Sequence, residues 1–302
     1  MDLKKKAIDI RKDVVKMIHH AGTGHIGGDL SVTDILVALY YEAMNVAPDK
    51  LDDPERDRFV MSKGHSVEAL YAVLADRGFF PKEELESYSA YGSRFIGHPN
   101  NKIPGIEMNT GSLGHGLSIG VGMALAARMD DRSYRVYVVL GDGECDEGSV
   151  WEAAMAASHY KLDGLTAFVD RNRLQISGST EDVMHQDSAE ERWAAFGWNV
   201  LSIPGNDIEA ILAGVELAKR TKGKPTVIIA NTTKGAGVSF IENKAGWHHK
   251  VPSDAELAEA LDVEALAPRA DVMLDVTPED ETPEGPAPEL PAEVELEAPA
   301  PE

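Results

Sequence analysis

The chain lacks the features that mark secreted, membrane-spanning and nucleic-acid-binding proteins. It has a single cysteine, Cys145, which excludes an internal disulfide and is typical of a protein in a reducing compartment. No apolar run approaches the roughly 18 residues that cross a bilayer. The N-terminal stretch MDLKKKAIDIRKDVVKMIHH interleaves charged and apolar residues, so it predicts a helix rather than a signal peptide. We therefore expect a cytoplasmic protein with no membrane partner.

Positive charge is also scarce. The formal net charge is −22, which argues against nucleic acid as a partner. Residues 276–302 hold nine acids and seven prolines but no lysine or arginine. A segment of this composition cannot bury enough apolar surface to offset the entropy that ordering costs. We therefore expect a domain over residues 1–268, followed by a disordered, acidic, proline-rich tail over residues 269–302.

Short apolar runs and amphipathic stretches predict the fold class. The strands are predicted at 57–62, 135–140, 165–170, 198–203 and 226–231. These runs are rich in Val and Ile and nearly continuous, as in parallel strands that are buried on both faces. Helices are predicted at 31–42, 66–76, 82–90, 115–129, 149–160, 187–196, 207–221 and 254–265. Asp187 and Asp207 are the predicted N-caps of two of them. The alternation predicts an α/β fold, a doubly wound parallel sheet with helices on both faces.

One predicted strand ends in an unusual turn. The sequence RVYVVLGDGECDEG places Asp142 between Gly141 and Gly143, with more acids following and no lysine nearby in the sequence. Glycines let a backbone approach a phosphate closely, but a carboxylate at the same point repels it unless a divalent cation lies between them. Mg²⁺ or Ca²⁺ suits such oxygen ligands, and Mg²⁺ typically combines one or two protein groups with phosphate oxygens.

The end of the next predicted strand offers further oxygen ligands. In DRNRLQISG, Asn172 carries an amide oxygen and Leu174 a backbone carbonyl. The 28 residues between Gly143 and Asn172 hold one predicted helix and one predicted strand, the spacing that places neighbouring parallel strand ends side by side. A lone GDG is most often an ordinary turn, so the metal-site interpretation depends on this spacing.

GDG followed by Asn after one such unit resembles the thiamine diphosphate motif, and longer blocks resemble transketolases. The blocks are GTGHIGGDLSVTDILVALY (22–40), FVMSKGHSVEALYAVLA (59–75), GHPN (97–100), NTGSLGHGLSIGVGMALAAR (109–128), GDGECDEGSVWEAAMAASHYKLDGLTAFVDRNRLQISGST (141–180) and GVSFIENKAGWHHK (237–250). The resemblance spans residues 5–250. Ile26, Ser112, His115 and His249 depart from the family's usual residues, and the acidic tail has no counterpart.

The resemblance implies a role for particular residues. The metal would be held by Asp142, Asn172 and the carbonyl of Leu174. The cofactor would contact His65, Gly111, Leu113, Gly141, Gly143, Asn172 and His248. Glu147 would link two cofactor sites across a dimer interface. The donor-sugar channel would be lined by the catalytic residues His25, His65, His98 and His248.

The histidines also have a chemical argument of their own. His25, His65 and His98 each follow a glycine, and His248 lies in a loop after the last predicted strand. A neutral imidazole both gives and takes a proton near pH 7, as a sugar hydroxyl requires when a C–C bond breaks. Ordinary structural roles are expected for His19, His20, His159 and His185, and the roles of His115 and His249 stay open. Acidic neighbours disfavour the thiolate of Cys145, which we interpret as structural.

Lys234, in TTKGAG, resembles a phosphate-binding P-loop only superficially. The sequence lacks the preceding spaced glycine and the following hydroxyl residue of that motif. No phosphate-binding role is therefore predicted for this lysine.

The function that the resemblance implies is that of the N-terminal subunit of a split transketolase in the pentose phosphate pathway. Such an enzyme moves a two-carbon ketol group from a ketose phosphate to an aldose phosphate by means of thiamine diphosphate. The pyrimidine-binding domain and the third domain of a full transketolase have no counterpart in this sequence. A separate C-terminal subunit is therefore expected as the partner, in an α2β2 heterotetramer.

Other functions remain open at this stage. The nearest are the N-terminal part of a deoxyxylulose-phosphate synthase and the α chain of a 2-oxoacid dehydrogenase. A metal-dependent phosphohydrolase would need a second group of acids at the strand ends, where only Asp170 is found. A non-catalytic scaffold with an acidic interaction tail would leave the histidine-rich loops without a role.

Overall fold

The computed structural model describes residues 1–186 and 188–262. Within them, each predicted strand is found to within one residue of its predicted ends. The strands are β1 (Arg58–Met61), β2 (Val136–Gly141), β3 (Leu165–Arg171), β4 (Asn199–Pro204) and β5 (Thr226–Asn231). All pairings between them are parallel, in the order β1-β2-β3-β5-β4. The predicted parallel sheet is confirmed.

Helices connect and precede these strands. They are α1 (Leu3–Ala21), α2 (Ile26–Ala38), α3 (Val67–Asp76), α4 (Gly116–Met129), α5 (Gly148–His159), α6 (Thr180–Val183), α7 (Ala189–Ala195), α8 (Ile208–Arg220) and α9 (Asp254–Leu261). Asp207 caps α8 as predicted, accepting from the backbone N–H groups of Glu209 and Ala210. Ser188 is the N-cap of α7, and Asp187 lies outside the described residues. The predicted end of the last helix and the expected tail, residues 263–302, also lie outside them.

Two helix predictions are wrong. Helix α2 begins at Ile26 rather than at Ser31, because Gly27 and Gly28 form its first turn instead of a loop. A Cβ on Gly27 would lie 2.7 Å from the carbonyl oxygen of Trp247, and one on Gly28 would lie 2.5 Å from Ser66 Oγ. These glycines therefore allow close packing of the helix start. In a sequence a glycine pair is more often taken as a sign that a helix is interrupted.

The stretch predicted as a helix over 82–90 is a 3₁₀ helix, Lys82–Ser87. Of its residues only Leu85 is buried, so an α-helix here would have little apolar surface to pack. Ser89 then has a φ of 59°, which ends any helical run.

Helices cover both faces of the sheet. Along β2, Tyr137 and Val139 belong to the apolar cluster that includes residues of α1, α2, α3 and α8. The alternate residues Val136, Val138 and Leu140 belong to a second cluster with residues of α4, α5 and α7. Successive strand residues point to opposite faces, so a sheet with two such clusters is doubly wound, as predicted. No helix in the described part of the chain is long and apolar enough to cross a membrane.

A buried ion pair joins the outer helix layer. The guanidinium of Arg11, on α1, lies 2.5 Å from Asp34 Oδ2 on α2, and neither side chain is more than 3% exposed. Asp34 also accepts from Asn206 Nδ2 at 2.8 Å, in the loop between β4 and α8. Arg11 donates to the carbonyl of Leu30 as well. These bonds link α1, α2 and that loop.

The substitution Arg11→Met tests this network. It keeps most of the side-chain volume but leaves the Asp34 carboxylate buried without its cation, so we expect a loss of about 3–5 kcal/mol in the free energy of unfolding. Urea denaturation followed by circular dichroism measures it. The matched control is Lys4→Ala, also on α1, whose partner Glu209 and own side chain are 81% and 68% exposed. An exposed pair contributes little, so the control should leave the urea midpoint unchanged. Equal effects of the two substitutions would contradict the assignment.

Candidate active site

The functional residues predicted from the strand ends meet at one edge of the sheet. Strands β1, β2 and β3 are neighbours, and Gly141 at the end of β2 pairs with Asp170 near the end of β3. A cavity of about 370 Å³ opens at this edge. Its lining includes the predicted residues His25, His65, Gly111, Leu113, Gly141, Asp142, Gly143, Asn172, Leu174 and His248.

Asp142 lines the cavity. Its side chain is 4% exposed and is held by two backbone N–H groups, from Gly143 to Oδ1 at 2.8 Å and from Arg173 to Oδ2 at 2.5 Å. Burial, followed by the charge of Asp170, raises the pKa of Asp142 to about 6. A carboxylate that is buried beside another carboxylate favours a cation as its neighbour.

Asn172 and Leu174 lie beside Asp142. Asn172 is 5% exposed, accepts from the N–H of Leu174 at 3.2 Å and donates from Nδ2 to Ser31 Oγ at 3.3 Å. These bonds orient the amide, so its oxygen faces the same turn as the backbone of Leu174. The carbonyl of Leu174 accepts from Lys234 Nζ at 2.9 Å.

Two buried lysines line the cavity, contrary to the absence of a lysine near GDG in the sequence. Lys63, from the SKGH turn after β1, donates to the carbonyl of Gly28 at 3.0 Å and lies 2.5 Å from Asp170 Oδ2. Lys234 follows β5, and burial lowers its pKa to about 8. Both side chains are 1% exposed. The sequence analysis assigns no site role to Lys63, although it lies in the block that carries His65. It considers Lys234 only as a P-loop lysine and predicts no phosphate-binding role for it.

Four of the predicted histidines form a cluster. The ring centroid of His25 lies 5.3 Å from that of His65, 5.6 Å from that of His248 and 6.4 Å from that of His98. His249, whose role stayed open, is also part of it, with its ring centroid 4.6 Å from that of His25. His98 does not line the cavity but packs against the backbone of Gly111.

Burial and nearby positive charge keep these imidazoles neutral. Burial, followed by the neighbouring His249, lowers the pKa of His25 to about 4. Burial followed by Lys234 lowers the pKa of His248 to about 3, and burial followed by Lys63 holds that of His65 well below its usual range. Burial also lowers the pKa of His98. Each ring can therefore donate from one nitrogen and accept at the other at pH 7.

Lys234 orients His248. Its Nζ lies 2.9 Å from His248 Nδ1, and an ammonium can only donate. The proton of His248 is therefore on Nε2. His25 Nδ1, by contrast, is buried with no hydrogen-bond partner among residues 1–186 and 188–262. An unpaired buried ring nitrogen is costly, so this atom is suited to a polar group of a bound molecule.

Glu144 is a further buried residue at this edge of the sheet, where the sequence suggests that it orients the loop. It accepts from the N–H groups of Gly114 at 2.9 Å and Gly141 at 3.0 Å, and from the hydroxyl of Ser62. These three donors belong to three segments, the loop before α4, the end of β2 and the turn after β1. Glu144 therefore holds these segments together. The run of acidic residues after GDG suggested that one of them has a structural role. The sequence does not show which of these side chains points into the protein.

Several other residues considered in the sequence analysis, besides His98, lie outside the cavity. Glu147 is exposed at the N-cap of α5 and does not line it. Cys145 is buried, and burial followed by the charge of Glu144 raises the pKa of its thiol well above the usual range. Such a thiol is a poor nucleophile, which agrees with a structural role. His115 is exposed at the start of α4 and lies outside the cavity as well.

The donor set fits a hard divalent cation that also binds a diphosphate. One carboxylate, one amide oxygen and one carbonyl lie together, while the glycines of GDG expose their backbone to the cavity. Within the described residues, no group of three or more His, Cys, Asp or Glu could hold a metal alone. A metal here would complete its shell with ligand oxygens, as Mg²⁺ does with phosphates. Lys63 and Lys234 add positive charge for the same anion.

Comparison with known proteins places the chain in a family. The family described as transketolase, thiamine diphosphate binding domain, matches residues 3–274. One of the named subunits of the apulose-4-phosphate transketolase of Phocaeicola vulgatus is 53% identical over 251 residues, which cover 83% of this chain and 89% of that protein. The 6-deoxy-6-sulfo-D-fructose transketolase subunit SqwG of a Clostridium species is 46% identical over 250 residues, covering 82% and 91%.

Solved structures agree with this likeness. The transketolase from Leishmania mexicana superposes with a TM-score of 0.81 at 31% identity. The match covers 86% of this chain but only 41% of that one, so the chain spans about two fifths of the solved transketolase. The family match, these relatives and the glycine-turn cavity at the strand ends agree: the chain belongs to the transketolase, thiamine diphosphate binding domain family.

Proposed function

We propose that this chain is the cofactor-binding, N-terminal subunit of a two-chain transketolase. The observation that carries the proposal is the cavity in which the GDG turn, the Asn172 turn and the neutral histidines meet. When bound, thiamine diphosphate supplies the electron sink that allows a ketose to be cleaved between its second and third carbons. The chain's own residues hold that cofactor, orient the sugar and move protons.

Asp142, Asn172 and the Leu174 carbonyl are proposed to hold Mg²⁺ or Ca²⁺, which neutralises Asp142 and binds the diphosphate. The backbone of Gly141 and Gly143 lies against the same space, so the phosphates can approach without a side-chain clash. His65 and Lys234 add donors from the neighbouring turns. The backbone of Gly111 and the side chain of Leu113 are proposed to contact the organic rings.

The histidines are proposed to carry the proton transfers. Breaking the C–C bond of a ketose requires removal of the proton from the C3 hydroxyl, and the reverse step returns it to an aldose. His25 has an unpaired buried nitrogen, so it can accept a hydroxyl hydrogen bond in the donor channel. His248 presents Nε2–H, and His98 lies on the other side of His25. Neutral rings keep the positive charge of the site on the lysines and the metal.

A partner chain is proposed to complete the site. Thiamine diphosphate also needs a glutamate on its pyrimidine ring and aromatic residues that stack on it, and family resemblance assigns both to another domain. The relatives from Phocaeicola vulgatus and Clostridium are named as subunits, which supports a second subunit here.

An α2β2 assembly is the proposed form. The outer surfaces of α4 and α5 expose Gly122, Ala126 and Met155, and Met155 is 54% exposed. Glu147 lies at the start of α5 on the same side of the sheet. Pairing of two copies along these helices would bury Glu147 and link the two cofactor sites, as expected from the family resemblance.

The sugar range is proposed as ketoses that carry an anionic group, with aldose phosphates as acceptors. The two relatives are named for apulose 4-phosphate and for 6-deoxy-6-sulfo-D-fructose, and both sugars carry such a group. A place in the pentose phosphate pathway therefore stays a prediction. The rival phosphohydrolase function is disfavoured, because Asp170 is occupied by Lys63, Ser31 and Thr232 rather than directed at a second metal.

Removal of the metal ligands should weaken cofactor binding. Asp142→Ala and Asn172→Ala each delete one proposed ligand, so we expect the half-saturating concentration of thiamine diphosphate to rise at least about tenfold, or about 1.4 kcal/mol. Fluorescence titration of the assembled enzyme measures it. Excess Mg²⁺ should partly rescue Asn172→Ala, and chelation should reproduce the loss in the wild type. The control Asp52→Ala removes an exposed carboxylate and should bind normally. Tight metal-independent binding by Asp142→Ala would refute the ligand assignment.

The two-chain proposal predicts that activity depends on mixing. The purified chain should show no ketol transfer alone and should gain it on addition of a chain that carries the pyrimidine-binding domain. The coupled assay follows aldose release from xylulose 5-phosphate with ribose 5-phosphate as acceptor. Transfer catalysed by the lone chain would rule out a half-site subunit.

Donor choice separates transketolase from its nearest alternatives. The assembled enzyme should accept xylulose 5-phosphate or another anionic ketose and should release no CO₂ from pyruvate. Both donors are tested under identical cofactor saturation. Decarboxylation of pyruvate with no ketol transfer would instead indicate a deoxyxylulose-phosphate synthase or a 2-oxoacid dehydrogenase.

A further inference from the structure

Two fully buried carboxyl groups lie behind the histidine cluster and have no role in the site as described so far. Asp29 lies in the first turn of α2 and Glu68 in the first turn of α3, and both are 0% exposed. His25 is the residue just before α2, and His65 lies in the turn just before α3. The two carboxyls are therefore one turn behind the two histidines.

Each carboxyl satisfies a backbone donor at the start of the other helix. Asp29 Oδ1, on α2, accepts from the N–H of Ala69 at 2.9 Å. Glu68 Oε1, on α3, accepts from the N–H of His25 at 3.2 Å and from the hydroxyl of Tyr88 at 2.7 Å. N–H groups in the first turn of a helix have no partner within the helix. Helices α2 and α3 thus cap one another.

The second oxygen of each carboxyl has no donor in the described part of the chain. Asp29 Oδ2 and Glu68 Oε2 are buried and have no N–H or hydroxyl donor among the described residues. Asp29 binds the N–H of Ala69, the residue next to Glu68, so the two side chains are neighbours, and a hydrogen bond between their carboxyls requires a proton on one of them. Two ionised carboxylates in contact within the protein interior would repel strongly, so one of the two stays protonated.

The surroundings of the pair favour this state. Burial, followed by the charge of Glu68, raises the pKa of Asp29 well above its usual range, and burial raises that of Glu68. The nearby cation Lys63 opposes the shift of Asp29, and the bonds from Tyr88 and from the backbone of His25 oppose the shift of Glu68.

The loop that carries His25 rests directly on the pair. A Cβ on Gly24 would lie 2.6 Å from Glu68 Oε1, so the backbone before His25 packs against the carboxyl. Any displacement of Glu68 therefore shifts the His25 loop as well as its hydrogen bond.

We propose that Asp29 and Glu68 share a single proton and act as a positioning pair that sets the separation of His25 and His65. The shared proton joins the two carboxyls, and each carboxyl holds the start of the opposite helix. The effect on catalysis rests on the proposed function, whereas the shared proton does not.

Amide substitutions test the shared proton through stability alone. In Asp29→Asn or Glu68→Gln the amide N–H replaces the shared proton, so each single variant should keep the wild-type urea midpoint at pH 7. In the double variant one N–H faces another N–H whichever way the amides turn. Its midpoint should fall by more than the sum of the single changes. A double variant as stable as the wild type, or more stable, would overturn the proposal, because it would mean that no proton joins the pair.

The pH dependence of folding stability is a second test for the shared proton. A folded-state carboxyl with a raised pKa keeps a proton that the unfolded chain loses, so it costs stability as the pH rises above the ordinary carboxyl range. The wild type should therefore lose stability relative to Asp29→Asn between pH 5 and pH 8. His25, Lys63, Tyr71 and Tyr88 also face the pair, but they are common to both proteins and cancel in the comparison. A difference that is constant with pH would count against a shared proton.

Substitution Glu68→Ala tests the positioning role. Loss of the acceptor for the N–H of His25 should loosen its loop, and histidine NMR should show the pKa of the His25 imidazole rising from about 4 toward its usual value. In the assembled enzyme kcat should fall about 10- to 100-fold with little change in KM, as expected for a misplaced catalytic group. Glu68→Gln should restore both.

The matched control is Tyr88→Phe, which removes a bond to the same Glu68 oxygen without touching His25. It should leave the pKa of His25 and kcat near the wild type. Should Glu68→Ala not fold, Asp29→Asn/Glu68→Gln provides the same kinetic comparison, with the single variants as references. An unchanged His25 pKa and kcat in a folded Glu68→Ala would refute the positioning role. If the wild type shows no ketol transfer at all, the proposed function fails, while the stability and NMR results still decide the proposal.

Discussion

The parallel pairing of β2 with β3 is the constraint on which the site depends. Since Gly141 lies opposite Asp170 in this register, the turns that follow the two strands end side by side. The short turns that follow the two strands are therefore enough to place Asp142 next to Asn172 and Leu174. A shift of one residue would turn the Asp142 and Asn172 side chains to the other face of the sheet. The apolar residues of β2 and β3 pack on both faces and so hold the register.

The electrostatics of the site follow from burial at this edge. Asp142 and Asp170 are buried together with Lys63 and Lys234, so neither sign of charge is left alone. Lys63 is paired with Asp170, whereas the hydrogen-bonding partners of Lys234 among residues 1–186 and 188–262 are uncharged, namely the Leu174 carbonyl and His248. The cavity therefore keeps one cation free of a carboxylate partner in direct contact. Together with the neutral histidines, it is suited to an anionic ligand whose chemistry needs uncharged proton carriers.

Part of this could be predicted, because it depends on local patterns. The strands were found from short continuous apolar runs, and the meeting of GDG with Asn172 followed from the length of one strand–helix–strand unit. The start of α2 was missed because Gly27 and Gly28 favour a turn in isolation, and their need for close contact with Trp247 and Ser66 is visible only in three dimensions. Lys234 was missed for a similar reason, since TTKGAG resembles a P-loop only superficially, whereas in space the lysine lines the same cavity as Asp142 and Asn172.

The sequence by itself determined the α/β class, the edge of the sheet at which the candidate site lies, and the residues of the glycine turn, because each of these depends on spacing within one unit of the fold. Only the tertiary structure decided which charges meet there. Lys63 with Asp170, and Asp29 with Glu68, are separated by long stretches of chain, and their contacts depend on how whole helices pack. A carboxyl looks the same in a sequence whether water or another carboxyl surrounds it. All of these carboxyls are buried, so the partner that packing supplies decides their state: Asp170 forms an ion pair with Lys63, whereas Asp29 and Glu68 are proposed to share a proton.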